Sequence, residues 1–205
     1  MTPFATEDSA GTLHVDQALE FFETLYAGQN GVMELRTFDH DRANALRDFI
    51  EVNDGKYNHD RVVTFLKATE ALQLGAYYGV ALRTAAALKT RKGDAAHCQT
   101  LTALFVDADF KHLGEEETRK RIAAFELPPS LVVCSGGGLH PYWLLDQPIF
   151  LQAPGGMKTA KSWLKRLASS VADVVDEAVS EPARVLRIPG SFNFKKEYMG
   201  KDGDL

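Results

Sequence analysis

Apolar residues recur at helical spacing across residues 15–26, at Val15, Ala18, Leu19, Phe22 and Leu25, and predict an amphipathic helix. Residues 32–38 alternate apolar and polar and predict a strand. Asp39 or Asp41 would cap a short helix running through Phe49, and Asn58 another that carries Val62, Val63, Leu66 and Leu72. Residues 76–83 read as a strand, and residues 85–96, which hold Lys89, Arg91 and Lys92, as a connection without clear period. The second half is more regular. Residues 101–106 form a buried strand; residues 115–125 form a helix with acids in its first turn, as the helix dipole favours, closed by Pro128-Pro129. A strand over 131–134, a glycine turn over 135–139 and a return strand over 140–145 follow. Pro154-Gly155-Gly156 leads into a helix with Met157, Ala160, Trp163, Leu164, Leu167 and Val171 on one face, and residues 184–188 are the last strand.

The order from about residue 99 to 190 is β-α-β-β-α-β, the ferredoxin-like or RRM-like pattern. The expected class is therefore α/β (α+β). An N-terminal α/β module, residues 1–98, packs on an RRM-like module, residues 99–195. Residues 196–205 are a tail or the start of a linker to a downstream region. The 205 residues, 45% of them hydrophobic, suffice for one real core. A net charge of −5 argues against coating nucleic acid by bulk positive charge, but leaves room for a local basic groove. Lys89, Arg91, Lys92, Lys158, Lys161 and Lys165 are candidates for such a patch. No apolar run is long enough to span a membrane, and residues 1–11 lack a signal-peptide pattern, so a cytoplasmic location is expected. Cys98 and Cys134 are the only cysteines, too few for a four-cysteine zinc site; no zinc is expected, and any metal would be held by oxygen.

Three constellations carry chemistry. In Phe105-Val106-Asp107-Ala108-Asp109, the two aspartates share a face at a strand's end. Adjacent carboxylates repel unless a cation lies between them or a proton is shared, and hard oxygen donors suit Mg²⁺ or Mn²⁺. The same residues also describe a solvated strand end. In Ser135-Gly136-Gly137-Gly138-Leu139-His140, glycines let backbone approach a ligand, successive N–H groups can form an anion nest, and Ser135 and His140 add donors. A glycine hairpin with a structural histidine reads the same way. In Arg184-Val185-Leu186-Arg187-Ile188-Pro189-Gly190-Ser191-Phe192-Asn193-Phe194-Lys195, arginine forks match phosphate oxygens and lysine supplies a point charge; a solvated basic edge strand is the plain alternative. Together the three supply what a metal–nucleoside triphosphate site needs.

Taken in order, these segments resemble the motifs of the archaeo-eukaryotic primase superfamily, and most closely its phage and plasmid primase-polymerases. Residues 105–109 resemble its hydrophobic-Asp-hydrophobic-Asp motif and residues 135–143 its Ser-Gly-x-Gly-x-His motif. Val175-Asp176 followed by residues 184–195 resembles the third motif. The resemblance covers residues 75–195 well and the first 70 weakly. It implies Asp107, Asp109 and Asp176 as the carboxylates of a two-metal Mg²⁺ or Mn²⁺ site. Ser135, Gly136, Gly137, Gly138, His140, Arg187, Asn193 and Lys195 would hold the incoming nucleotide, with His140 also counted in the catalytic set. Asp176 competes with Glu181 for the third metal position, and the short, stiff aspartate is favoured because Mg²⁺ demands near-octahedral geometry. The implied activity is template-dependent nucleotidyl transfer from NTPs or dNTPs to a 3′-hydroxyl, with a single-stranded DNA template and a primer strand as partners. A helicase or helical primase-specific region is expected in the full-length protein. Zinc-binding cysteines and the basic residues often found in the second motif of cellular primases are absent. The rival readings are a non-catalytic RRM-like nucleic-acid-binding module, although no Lys/Arg-Gly-Phe/Tyr motif is present, and a nucleotide-binding signalling or nuclease domain using the same metal site.

Overall fold

Helix α1 (Val15–Leu25) forms where the apolar stripe predicts it, burying Ala18, Phe21, Phe22 and Leu25. The computed structural model describes residues 13–38, 45–171 and 181–194. Asp39, Asp41, Asp176, Lys195 and the expected tail lie outside them. Strand β1 (Gly31–Thr37) is followed by β2 (Arg47–Asn53), so the expected short helix through Phe49 is not what forms: residues 47–49 are already strand. Asp54 and Gly55, both at positive φ, turn β2 into β3 (Lys56–Tyr57), and two such residues suit the tight turn of a twisted hairpin. Asn58 caps α2 (His59–Ala71), its side chain accepting the Arg61 N–H at 3.1 Å.

The expected strand over 76–83 is present but interrupted, as β4 (Ala76–Gly79) and β5 (Leu82–Arg83). Both pair antiparallel with β1, and the register shifts by two residues across Val80-Ala81. The other edge is shared. Its first part pairs with β10 (Val185–Arg187) and its second with β6 (Cys98–Phe105). Between β5 and β6, residues 85–96 are more ordered than expected: α3 (Ala86–Thr90) is followed by a 3-10 turn (Ala95–His97). Then come β7 (Ala108–Asp109), α4 (Phe110–Leu113), α5 (Glu115–Ala124), β8 (Leu131–Cys134), β9 (Gly138–Phe150) and α6 (Gly156–Val171). Strand β9 lies between β6/β7 and β8. The chain order β-α-β-β-α-β is the expected one. Its last strand, however, sits on β4 of the first half, so one sheet runs through both halves.

The main core also spans both halves. Phe21, Tyr78 and Tyr142 meet edge to face, and the Tyr78 hydroxyl donates to that of Tyr142 at 2.9 Å. A second cluster joins Val106, Ala108, Leu139 and Trp143 to Ile122 of α5 and Leu167 of α6. Trp163, expected on the buried face of α6, is instead exposed. Among the described residues no helix is long and apolar enough to cross a membrane.

Candidate active site

The acids lie where β6 gives way. Pairing with β9 runs to Phe105, breaks at Val106-Asp107 and resumes at Ala108 in the same register. His140 is two residues before Tyr142 on β9, the partner of Phe105, so alternation brings His140 and Asp107 to one face. Asp107 Oδ1 is 3.2 Å from His140 Nε2, and its Oδ2 accepts from the Arg184 guanidinium at 2.5 Å. Burial would raise the Asp107 carboxyl, but His140 and Arg184 outweigh it and hold Asp107 well below the usual carboxylate range. Asp109 caps α4 through the Lys111 N–H at 3.0 Å and pairs with Lys111 Nζ at 2.8 Å. Burial and the neighbouring Asp107 charge raise its carboxyl less than these contacts lower it. The expected repulsion between the two aspartates is thus met by side-chain cations rather than a shared proton.

The glycine turn is pressed onto this strand. A Cβ on Gly138 would lie 2.5 Å from the Ala108 carbonyl oxygen, so only glycine lets the hairpin approach β7. The Phe110 N–H donates to the Gly137 carbonyl at 2.9 Å. Ser135 closes the turn, with its N–H at 2.9 Å and its hydroxyl at 3.1 Å both donating to Gly138 O. At Gly136, φ is +81° and Asn193 packs over the Cα.

The last strand provides the opposite wall. Arg187 is nearly buried, donating to Phe192 O at 2.7 Å, Asn193 Oδ1 at 2.9 Å and the Tyr77 hydroxyl at 3.1 Å, with its guanidinium over the Tyr77 ring. Asn193 Nδ2 donates in turn to the Ser135 carbonyl at 2.9 Å, tying this wall to the glycine turn. Tyr77, Asp107, Asp109, Ser135, Gly137, Gly138, His140, Arg187 and Asn193 all face one cleft of about 120 Å³. His140 Nδ1 is buried without a hydrogen-bond partner among the described residues.

Of the described site residues, Asp107, Asp109, Ser135, Gly137, Gly138, His140, Arg187 and Asn193 therefore converge, whereas Gly136 and Arg184 do not line the cleft. Nor does Glu181, which pairs with Lys161 at 2.6 Å. Sequence reasoning missed Tyr77 as a wall and Arg184 as the partner of Asp107. Arg184 and Arg187 are three residues apart, which on a strand means opposite faces, and that spacing already argues against one shared ligand. Two carboxylates, both held ionised, match the donor chemistry of Mg²⁺ or Mn²⁺. Among the described residues no group of three His, Cys, Asp or Glu side chains could hold a metal ion, so such an ion would need a further ligand.

No protein-family model matches the chain, and no curated protein matches it. Among solved structures it is similar to the archaeo-eukaryotic primase domain of the cyanophage S-2L primase-polymerase. The TM-score is 0.56 at 17% identity, over 87% of this chain and 83% of that one. The likeness establishes the fold alone: a mixed α+β chain with the architecture of that domain.

Proposed function

We propose that this chain is a nucleotidyltransferase of the primase-polymerase type. It would extend a 3′-hydroxyl with NTPs or dNTPs on a single-stranded DNA template, in the replication of a phage, plasmid or other mobile element. The observation that carries the reading is the convergence on one polar cleft of Asp107 and Asp109, the 135–138 turn with His140, and Arg187 with Asn193. Residues 99–195 supply the acids and the turn, and residues 1–98 contribute the Tyr77 wall.

In this reaction the 3′-hydroxyl oxygen attacks the α-phosphorus in line and gives up its proton to water, the bond from that phosphorus to the bridging oxygen breaks, and pyrophosphate leaves with the bonding electron pair. Asp107 and Asp109, with Asp176, would hold Mg²⁺ or Mn²⁺, which when bound stabilises charge on the attacking and leaving oxygens. The chain's own residues position the phosphates. The 135–138 turn and the fixed Arg187 face them from two sides, and His140 has a ring nitrogen to offer. Positive groups aimed at the leaving pyrophosphate are the electrostatic contribution that dominates phosphoryl transfer. Lys195 would add to them. A helicase or helical primase-specific region would complete the replication protein.

The test is extension of a labelled primer on a defined single-stranded template, with Mg²⁺ or Mn²⁺ and each nucleotide class in turn. Template-directed extension that disappears in Asp107→Asn supports the reading. Template binding without extension would leave a binding module, and template-independent turnover of nucleotide would leave a signalling or nuclease domain.

A further inference from the structure

One row of the sheet carries an unusual sequence of side chains. Arg47 of β2 is directly opposite Arg36 of β1, Arg36 opposite Tyr77 of β4, and Tyr77 opposite Arg187 of β10. Directly opposed residues share a face, so three arginines and a tyrosine form a line that ends inside the cleft. Phe38, two residues beyond Arg36, extends the same face. Its ring meets Tyr77 edge to face at 5.0 Å, lies under the Arg36 guanidinium at 4.6 Å, and is 52% exposed.

This line is poorly explained as structure alone. Like charges directly opposed across strands are destabilising. The buried Glu34 carboxylate is contacted by Arg36, Arg47 and Arg83, one negative charge against three positive ones. Arg36 is the least satisfied of the three. Its ion-pair distance is 3.8 Å, and its Nε is buried without a hydrogen-bond partner. Burial, with Arg47 and Arg83 nearby, lowers the proton affinity of its guanidinium despite Glu34. In a chain of net charge −5, a surplus of positive charge beside an exposed aromatic ring is local and specific.

We propose that Phe38 and Arg36 form a platform that binds single-stranded nucleic acid as it enters the cleft, Phe38 stacking on an unpaired base and Arg36 taking the adjacent phosphate. An aromatic face and a cation side by side suit unpaired bases on a polyanionic backbone, whatever the sequence. A duplex has no free base face to offer. The proposal rests on the reading of the cleft given above and names how its template is held. It stands apart from the α6 lysines of the binding patch expected from sequence. Lys161 is engaged by Glu181, and Lys158 and Lys165 lie on α6, which contributes nothing to the cleft.

The experiment is fluorescence anisotropy with a labelled oligothymidylate single strand and the metal-free protein, across a salt series. Circular dichroism checks the fold of each variant. Phe38→Ala should weaken binding about tenfold, one lost stacking contact, and Phe38→Trp should restore it. Arg36→Gln should weaken binding and reduce the salt slope by about one. Oligothymidylate affinity unchanged in Phe38→Ala and Arg36→Gln overturns the proposal. So does a loss confined to binding of a fluorescent nucleoside triphosphate, which would assign the platform to the incoming base. Loss of strand binding in a protein that never extends primers would sink the proposed activity and leave the platform standing. Extension that depends on Asp107 with unaltered strand binding in Phe38→Ala would do the reverse.

Discussion

Two carboxylate–guanidinium pairs stand on this one sheet and do opposite things. Asp107 and Arg184 meet at a break between strands, each about a quarter exposed, with Asp107 on the wall of the cleft. Glu34 and Arg83 meet between β1 and β5 with no exposure at all. The closed pair is sealed by backbone: a Cβ on Gly93 would sit 1.8 Å from Glu34 Oε2. Arg83 also reaches Cys98 Sγ at 2.8 Å, so the pair ties β1, β5 and β6 together. The open pair ties little and keeps a charged carboxylate facing space that a ligand can enter. The same two chemical groups thus serve architecture where backbone covers them and stay open to a ligand where it does not.

The sharpest test of this contrast is Asp107→Asn. Extension should vanish, while the melting temperature stays within about 5 °C of the parent, because a partly exposed ion pair contributes only about 1 kcal/mol or less. Calorimetry alongside the primer assay checks both halves. A collapse of stability would make the open pair architectural too.

Glu34→Gln should behave in the opposite sense. Removing one member of a buried pair leaves the other charge unpaired and costs about 3–5 kcal/mol in urea unfolding. The fraction that remains folded should extend primers at the parental rate per molecule at saturating template, since Glu34 lies off the cleft. The double variant Glu34→Leu with Arg83→Met should lose less than Glu34→Gln alone, since the fully buried guanidinium goes with its carboxylate and only the partly exposed Arg36 and Arg47 lose a partner.

A smaller effect is expected at His140. His140→Ala should raise the nucleotide KM about tenfold, one lost hydrogen bond to a charged group, and lower kcat. Affinity for template alone should be unchanged. If template affinity falls instead, His140 belongs to the strand path and not to the phosphates.

The smallest effect is a pH dependence. Asp107 ionises below its ordinary value of 3.8 in the folded protein, so the unfolded chain binds that proton more readily. The stabilisation this gives is complete above about pH 4 and is lost as pH falls towards the folded value. Arg184→Gln removes part of the cause. The stability difference between parent and variant should be constant from pH 7 to 5 and narrow below pH 4, as read by urea midpoints. A difference that widens on acidification would reverse the assignment of Arg184 as the charge partner.

Much of this was legible in the chain, and the failures have physical reasons. Helix α1, the Asn58 cap and the β8–turn–β9 hairpin follow from local period and capping. Strand β2 was misread because Phe49 is buried on the face where Glu51 and Asn53 are exposed, which breaks the alternation at its start. Phe49 packs with Val32 and Ala87 while Ile50 and Val52 enter the main core, so two adjacent buried residues hide the alternation that follows. The Asp54-Gly55 pair two residues beyond Val52 was the available signal for a hairpin there. The site motifs were visible because each is local: two aspartates one residue apart, a run of glycines, an arginine before Pro-Gly. Their partners were not. Arg184 reaches Asp107, and Tyr77 reaches Arg187, only because β10 pairs with β4 in one register, and nothing local announces a partner about a hundred residues away.

That shared edge of residues 76–83 also sets an order of events in time. A chain made from its N-terminus presents β4 long before β10, with about 100 residues between them, or roughly 5–20 s of synthesis. Through that interval one side of β4 has backbone donors and acceptors with no strand to meet them, the kind of edge that invites pairing with another chain. Val185–Arg187 ends this exposure, and the same three residues carry Arg187 to the cleft. Closing the sheet and bringing Arg187 to the cleft are therefore a single late event.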